Sequence, residues 1–406
     1  MTASTSNHIS EIITKEELGS ITDSGEVQLS SLNAESATNK DVQLELEQPF
    51  YVYDPSAGWI VSLQNSGFSG SSEIPSNANS TSAKAANQSQ ASNPTQIAPA
   101  LSFTLVTWNV DFMASHESTR LATIIDYIQH SLVNPLPSHS ESTTHVRAPP
   151  VLLLQEVHHS CFPALLEHPL IRTTYAVTDI SSATWSEPDA AYGLITLVPR
   201  ILIPAVHRVF RTPFESAMAR DALYVEITVD SPSSGRILRV ANTHLESLRE
   251  GDSLRPVQLT SVARQFEGVH AGIVGGDMNP IGPLDQKLPG RLGLSDAWLI
   301  QQAKNPHLSA DEAKGKVSKM RDGDDNDVFM DTEGGDGYTW GTQPTSRFPK
   351  RRMDKILFTG GVAVDQIERI GIGLKASVIR RDGRRYQLWA SDHFGLVAQV
   401  TISERQ

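Results

Sequence analysis

Six short motifs hold the residues of this chain that can do chemistry. They are Thr107-Trp108-Asn109, Leu154-Gln155-Glu156, Asn242-Thr243-His244-Leu245-Glu246-Ser247, Gly275-Gly276-Asp277-Met278-Asn279, Met353-Asp354-Lys355 and Ser391-Asp392-His393, in that order along the chain. Together they supply carboxylates and amide oxygens, the hard ligands that suit Mg²⁺ or Mn²⁺. They also supply two histidines with acidic neighbours to orient them. Each motif alone has a plainer reading. Asn109 reads as a turn residue, Glu156 as an ion pair at a strand end, and Asp277-Met278-Asn279 after two glycines as a turn. Asp392-His393 reads as a helix cap or a buried hydrogen-bonded pair. The ordered set is what points to a site. There is no GxSxG and no Walker sequence, and the single cysteine, Cys161, excludes an intramolecular disulfide framework and a multi-cysteine zinc site.

These residues sit where apolar runs end, which is where a strand feeding a loop presents functional groups. Leu101 to Val106 reads as a strand ahead of Asn109. Val151 to Leu154 is wholly apolar, as expected of a buried central strand ahead of Glu156. Leu223 to Val229 and Arg236 to Ala241 read as paired strands turned by Ser231-Pro232-Ser233-Ser234-Gly235, and Ala271 to Val274 as another short strand. Leu121, Ile124, Ile125 and Ile128 mark one face of a helix. Ser253 is placed to cap a helix running to Phe266. Strands with intervening helices predict an α/β layered domain.

The charge is unevenly placed. The formal net charge is -12, yet residues 1–100 hold 3 basic and 11 acidic residues, and residues 322–336 hold 7 acidic and none basic. The rest of residues 101–406 is slightly basic, so the acidic total does not exclude a polyanionic partner. Residues 1–100 are rich in Ser, Asn, Ala and Thr and read as a largely disordered tail. One aromatic island, Pro49 to Val61, breaks that texture and is expected to dock on the folded part. The folded domain is expected to span residues 101–406, with a mobile acidic insertion near 303–336.

The motifs TWN, LLLQEV, NTHLES, GGDMN, RMDKILF and SDHFGL resemble the endonuclease/exonuclease/phosphatase superfamily across almost all of residues 101–406. His244-Leu245-Glu246-Ser247 with downstream Arg255, Gln258 and Leu259, Met218-Ala219-Arg220 and Tyr338-Thr339-Trp340-Gly341-Thr342-Gln343 are similar to its 5′-tyrosyl-DNA phosphodiesterase branch. The family's SDHWGL, YTWDTQ and GDTN stand here as SDHFGL, YTWGTQ and GDMN, changes at positions expected to touch substrate. The resemblance implies a two-sheet, four-layer α/β sandwich and Mg²⁺-dependent phosphodiester hydrolysis, with Mn²⁺ able to substitute. It implies DNA 5′ ends carrying tyrosyl adducts as substrate, single-stranded or frayed, and hence a role in DNA repair. A general nuclease, an abasic endonuclease, a deadenylase and a phosphoinositide phosphatase are the alternatives.

On this reading Glu156 is the direct metal ligand, with Asn109 and Asp392 completing the shell. Asp277 positions and deprotonates the attacking water, and Asn279 holds water or phosphate. His393 donates to a phosphoryl oxygen with Asp354 orienting its ring, and His244 contacts the phosphate from another side. Arg220 is expected to clamp the phosphate. Trp340 and Tyr192 are read either as contacts to nucleotide or leaving group or as core packing.

Two further patterns are ambiguous. Asp322, Asp324, Asn326 and Glu333 fall at the ligand positions of a calcium loop, but Asp327 stands where that loop needs Gly. Arg380, Arg381, Arg384 and Arg385 read either as phosphate contacts or as a solvated hairpin tip. The N-terminus lacks an apolar signal segment, and no run approaches the roughly 20 residues of a membrane span. These features predict no membrane partner and an intracellular, reducing compartment, with the nucleus favoured by the implied repair role and the cytoplasm as alternative. The sequons at Asn79 and Asn87 are expected to carry no glycan.

Overall fold

Runs of β-branched and aliphatic residues without polar alternation become the central strands of two sheets, and amphipathic stretches cover their outer faces. The computed structural model describes residues 44–62, 101–134, 148–229, 235–282, 284–304 and 337–403. The calcium-loop pattern, the acidic insertion beyond Lys304, both sequons and most of the turn before Gly235 lie outside the described residues.

The first elements of the described residues are β1 (Leu46–Glu47), β2 (Tyr51–Asp54) and β3 (Gly58–Val61). Next come β4 (Ser102–Asn109), α1 (Glu117–Ile128), β5 (Val151–His158), α2 (Phe162–Glu167), α3 (Pro169–Thr174) and β6 (Tyr175–Val177). Strands β7 (Tyr192–Pro199), β8 (Val206–Pro213), β9 (Asp221–Thr228) and β10 (Ile237–His244) follow. Then come α4 (Leu254–Gln265), β11 (Ala271–Asp277), α5 (Leu288–Arg291), β12 (Ser295–Asp296) and α6 (Ala297–Lys304). The last strands are β13 (Asp354–Gly360), β14 (Val362–Ile370), β15 (Lys375–Ile379), β16 (Arg385–Trp389) and β17 (Gly395–Ile402).

One sheet has the order β1-β8-β9-β10-β11-β13-β12, the other β14-β17-β4-β5-β7-β6-β2-β3, and β15-β16 is a separate hairpin. Each large sheet has a central parallel pair, β10 with β11 and β4 with β5. Leu105, Val151 and Leu153 of one sheet meet Val225, Val240 and Ile273 of the other in the interior. Burying each such side chain contributes about 1.5–3 kcal/mol. Helices α1 to α3 cover one outer face and α4 the other. The result is the four-layer sandwich the motifs implied.

The expected strands and the α1 helix all form. Helix α4 starts at Leu254 with Ser253 at the cap position, but the serine side chain makes no capping bond. The reason is local: the backbone at Ser253 is already helical, at φ -81 and ψ -25, because a short turn at Arg249–Gly251 runs into the helix. Residues Ala303 and Lys304, assigned by sequence to the insertion, close α6.

The aromatic island is a hairpin on the sheet edge. Tyr51 and Val52 pair with Val177 and Ala176, while Leu46 and Glu47 just before it pair with β8 of the other sheet. Between them Phe50 is 2% exposed in the interior. Gln48 Nε2 donates to the Thr178 carbonyl at 3.2 Å. One short segment therefore clasps the edges of both sheets.

Candidate active site

Register places three of the six motifs side by side. His244 lies opposite Asp277, and Asp277 opposite Asp354, at the ends of β10, β11 and β13. The close approach at β10 demands Gly276, since a Cβ there would overlap the Thr243 carbonyl oxygen. In the facing sheet Asn109 ends β4, and Glu156 sits in a β-bulge where β5 slips register against β7. Glu156 has φ +58, a left-handed conformation that costs a non-glycine residue about 1–3 kcal/mol. The bulge re-aims its side chain out of the strand alternation, and the Phe112 N–H donates to its Oε2 at 3.0 Å. Beneath the site a buried amide pair joins the sheets: Gln155 Nε2 donates to Asn242 Oδ1 at 2.8 Å.

The carboxylates pay a desolvation cost here. Burial pushes Glu156 up to about 7, with the Asp392 charge adding to the rise and His393 opposing it. Burial also pushes Asp277 up to about 6, against the pull of His393. Asp277 is held on both oxygens. Its Oδ1 accepts from the Asn279 N–H at 2.9 Å and its Oδ2 from Asn109 Nδ2 at 3.1 Å. Asn279 adopts φ +45, a region Asn tolerates well, and its Nδ2 donates to the Leu245 carbonyl and Ser247 Oγ, both at 3.1 Å.

The two histidines are held in opposite protonation states. His393 Nδ1 lies 2.7 Å from Asp354 Oδ2, and its Nε2 lies 3.8 Å from Asp277 Oδ2 and 3.9 Å from Asp392 Oδ1. Burial opposes the charged ring, but Asp354, Asp392 and Asp277 outweigh it and hold His393 well above the ordinary value. His244 is held well below it by burial, the Arg220 guanidinium and His393. Its Nδ1 is 2.8 Å from Arg220 Nη1. Its buried Nε2 has no hydrogen-bond partner among the described residues and points between Asp277 Oδ2 at 3.4 Å and Glu156 Oε1 at 3.8 Å.

The structure thus brings Asn109, Glu156, His244, Asp277, Asn279, Asp354, Asp392 and His393 together. Three expected contributors have partners within the protein, with Tyr192 and Trp340 still partly exposed. Arg220 serves His244 through Nη1 and Ser247 Oγ through Nη2 at 3.0 Å, and its guanidinium lies 5.3 Å over the Tyr192 ring. That geometry makes it a support for His244 rather than a free phosphate clamp. Tyr192 also stacks on Phe112, with centroids 3.8 Å apart. Trp340 Nε1 donates to Asp392 Oδ2 at 2.9 Å. Asn109 Oδ1 accepts from the Asp111 N–H at 3.0 Å while its amide nitrogen serves Asp277, so it positions carboxylates.

Sequence reasoning missed Arg120. It is fully buried, and its Nη1 donates to the carbonyls of Val110 and Ala390, both at 3.1 Å. It ties the loop that carries Phe112 to the loop that carries Asp392. A charged residue in the apolar stripe of α1 was the available signal. Glu246 stands in the sequence only as part of a motif. Its carboxylate accepts from Ser216 Oγ at 2.6 Å and the Ala217 N–H at 3.0 Å, which shapes the loop leading to Arg220.

The donor set suits a divalent cation. Asp277, Asp354 and His393 present ligand atoms within 4.8 Å of one another. Asp354 Oδ2 is already engaged by His393. Glu156, by contrast, is a carboxylate whose charge burial disfavours, beside a second acid, Asp392, and a cation there would relieve both.

No curated protein matches this chain by sequence. Solved structures similar to it include a humanized zebrafish (D. rerio) TDP2 with 14 mutations, at 20% identity over 74% of this chain and 98% of that one, with a TM-score of 0.48. TDP2 from Caenorhabditis elegans is 19% identical over 75% of each chain, with a TM-score of 0.48. An endonuclease/exonuclease/phosphatase from Bacteroides vulgatus is 15% identical over 75% of this chain and 100% of that one, with a TM-score of 0.45. The family model for the endonuclease/exonuclease/phosphatase family matches residues 106–393, well over half of the sequence, and the chain belongs to that family.

Proposed function

We propose that this chain is a Mg²⁺-dependent phosphodiesterase that hydrolyses 5′-phosphotyrosyl bonds between DNA ends and protein adducts. The observation that carries the chemistry is the convergence of the Nε2 atoms of His244 and His393 on the buried carboxylate of Asp277. The motif set shared with the tyrosyl-DNA phosphodiesterase branch carries the substrate.

Asp277 is the general base. A carboxylate raised to about 6 is ionised at neutral pH yet more basic than an ordinary one, which is the compromise a base needs. It takes a proton from the attacking water while Asn109 and the Asn279 N–H hold its oxygens. The Nε2–H groups of His244 and His393 meet the phosphoryl oxygens from two sides as charge builds on them. Asp354 fixes one ring and Arg220 the other. The leaving tyrosinate has a pKa of about 10, so it departs without a strong general acid.

Glu156 and Asp392 would hold the ion, with Asn109 and Trp340 orienting them; when bound, Mg²⁺ or Mn²⁺ neutralises phosphate charge. Tyr192, under Arg220, is placed to meet the leaving ring or the terminal nucleotide. Repair of DNA ends blocked by trapped protein is the role that follows, with the nucleus as its place.

The test is a substrate panel with and without EDTA: a 5′-tyrosyl oligonucleotide, an abasic duplex, poly(A) and inositol phosphates. Metal-dependent cleavage of the tyrosyl substrate in preference to the others is expected. Efficient turnover of another substrate with none of the tyrosyl oligonucleotide rejects the reading, and full activity in EDTA rejects the metal.

A further inference from the structure

The hairpin of β15 and β16 differs from the rest of the chain in charge. From Lys375 to Trp389 it holds five basic residues against one acidic, Asp382, in a chain of formal net charge -12. Arg381, Arg384 and Arg385 are exposed at its tip. Among the described residues neither Arg381 nor Arg385 has a hydrogen-bond or ion-pair partner for its guanidinium. The Arg384 pair with Asp382 is long, at 3.9 Å, and its arginine side chain is 85% exposed, so solvent leaves it little strength. Among the described residues no partner accounts for this charge.

The hairpin is anchored and leads straight into the site. Ala376 and Val378 are buried beneath it, and Tyr386 Oη lies 2.8 Å from His116 Nε2. After Trp389 the chain passes Ala390, held by Arg120, and reaches Asp392 and His393. Register puts Lys375 opposite Trp389 and Ile379 opposite Arg385, so these four share one face. The Lys375 ammonium lies 4.4 Å over the Trp389 ring, and the Arg380 guanidinium 4.8 Å over Tyr386. Tyr386 pairs with Val378 on the anchored face, so the open face carries one ring, Trp389, among the cations Lys375 and Arg385, and a ring beside cations is what a strand of phosphates and bases requires. At about 3.3 Å per residue, the extended chain from Arg385 to Asp392 spans at most roughly 23 Å. At the duplex rise of about 3.4 Å per nucleotide that is at most about seven nucleotide steps, and fewer along an extended single strand.

We propose that the β15–β16 hairpin is a nucleic-acid-binding arm, gripping the substrate strand several nucleotides from the scissile phosphate with its tip arginines on backbone phosphates and Trp389 against a base. The inference rests on the phosphodiesterase reading for its direction, but binding tests it independently of cleavage. The same charge could meet an anionic lipid surface; the Trp389 ring set among cations and the continuity with the site favour nucleic acid.

The experiment compares wild type with the triple variant Arg381→Ala, Arg384→Ala, Arg385→Ala in the full chain. Affinity is measured for single-stranded oligonucleotides of about 15 and about 3 nucleotides over a salt series. The variant should bind the long strand about tenfold more weakly, and its log-affinity against log-salt slope should be shallower by about 2, from three lost contacts at about 0.7 each. The short strand should bind as to wild type. The matching triple Arg→Lys variant should keep both affinity and slope, and Arg381→Glu alone should follow the alanine trend if the triple variant melts early. Unchanged affinity and slope for the long strand overturns the arm, as does an equal loss on both lengths. Binding to phosphatidylserine vesicles that the variant loses, with oligonucleotide binding intact, also overturns it. If wild type cleaves no tyrosyl substrate yet binds long strands through the arm, the functional reading fails and the arm stands.

Discussion

Arg220 Nη1 lies 2.8 Å from Nδ1 of His244. A guanidinium can only donate, so Nδ1 must accept and the single ring proton of neutral His244 resides on Nε2. That N–H faces the space between Asp277 and Glu156. Replacing Arg220 with Met should free the tautomer and remove one cause that holds His244 uncharged. Turnover on a 5′-tyrosyl oligonucleotide should fall about 10²-fold, the scale of losing one aimed donor. A His244 titration moved toward the ordinary histidine range, followed by NMR, would accompany it. An unchanged rate and titration would show that Arg220 does not govern His244.

Asp277→Asn keeps shape but removes basicity. Single-turnover rates should drop about 10²–10⁴-fold while substrate still binds. In wild type the rate should fall as pH drops through about 6, where Asp277 takes up its proton, and the variant should lose that limb. His393→Ala should lower turnover at every pH where Asp277 is ionised, and Asp354→Asn should be a weaker version of it. A normal single-turnover rate in Asp277→Asn would move the base elsewhere, with Asp392 next in line.

Glu156 ties metal binding to pH. Burial holds its proton on in the folded chain up to about 7, against 4.5 for an unperturbed glutamate. Between those values the folded state binds more protons than the unfolded one, so stability of the metal-free protein should decline as pH rises from about 4.5 to about 7. Added Mn²⁺ should then raise the melting temperature most above pH 7. Glu156→Gln should melt higher than wild type at pH 8 without metal and lose the metal-induced rise. A wild-type-like response to Mn²⁺ in that variant would place the ion elsewhere, with Asp277, Asp354 and His393 the first alternative.

The segment before β2 is a clasp whose strength can be measured. Phe50 is 2% exposed between the sheets. Phe50→Ala should destabilise the fold by about 3–5 kcal/mol in denaturant unfolding. A loss below about 1 kcal/mol would show that the hairpin rests on the domain without holding it.

The ends of apolar runs were legible in the sequence because burial between two sheets leaves no polar alternation. Val151 to Leu154 announces a central strand, and the residue that follows such a run faces the loop side of the sandwich. The acid, amide and imidazole types at those ends name a phosphoryl chemistry, and the order of motifs names the family. The direction each side chain takes was not legible. Glu156 points into the site only because β5 bulges against β7. Asn109 turns its amide to Asp277, 168 residues away, and Arg120 reaches the carbonyl of Ala390 across 270 residues. The opposite protonation preferences of His244 and His393 depend on burial and on whether an arginine or carboxylates stand beside each ring. Residue type and periodicity are properties of a short stretch, whereas orientation and protonation are set by neighbours that only the folded chain brings within a few ångströms.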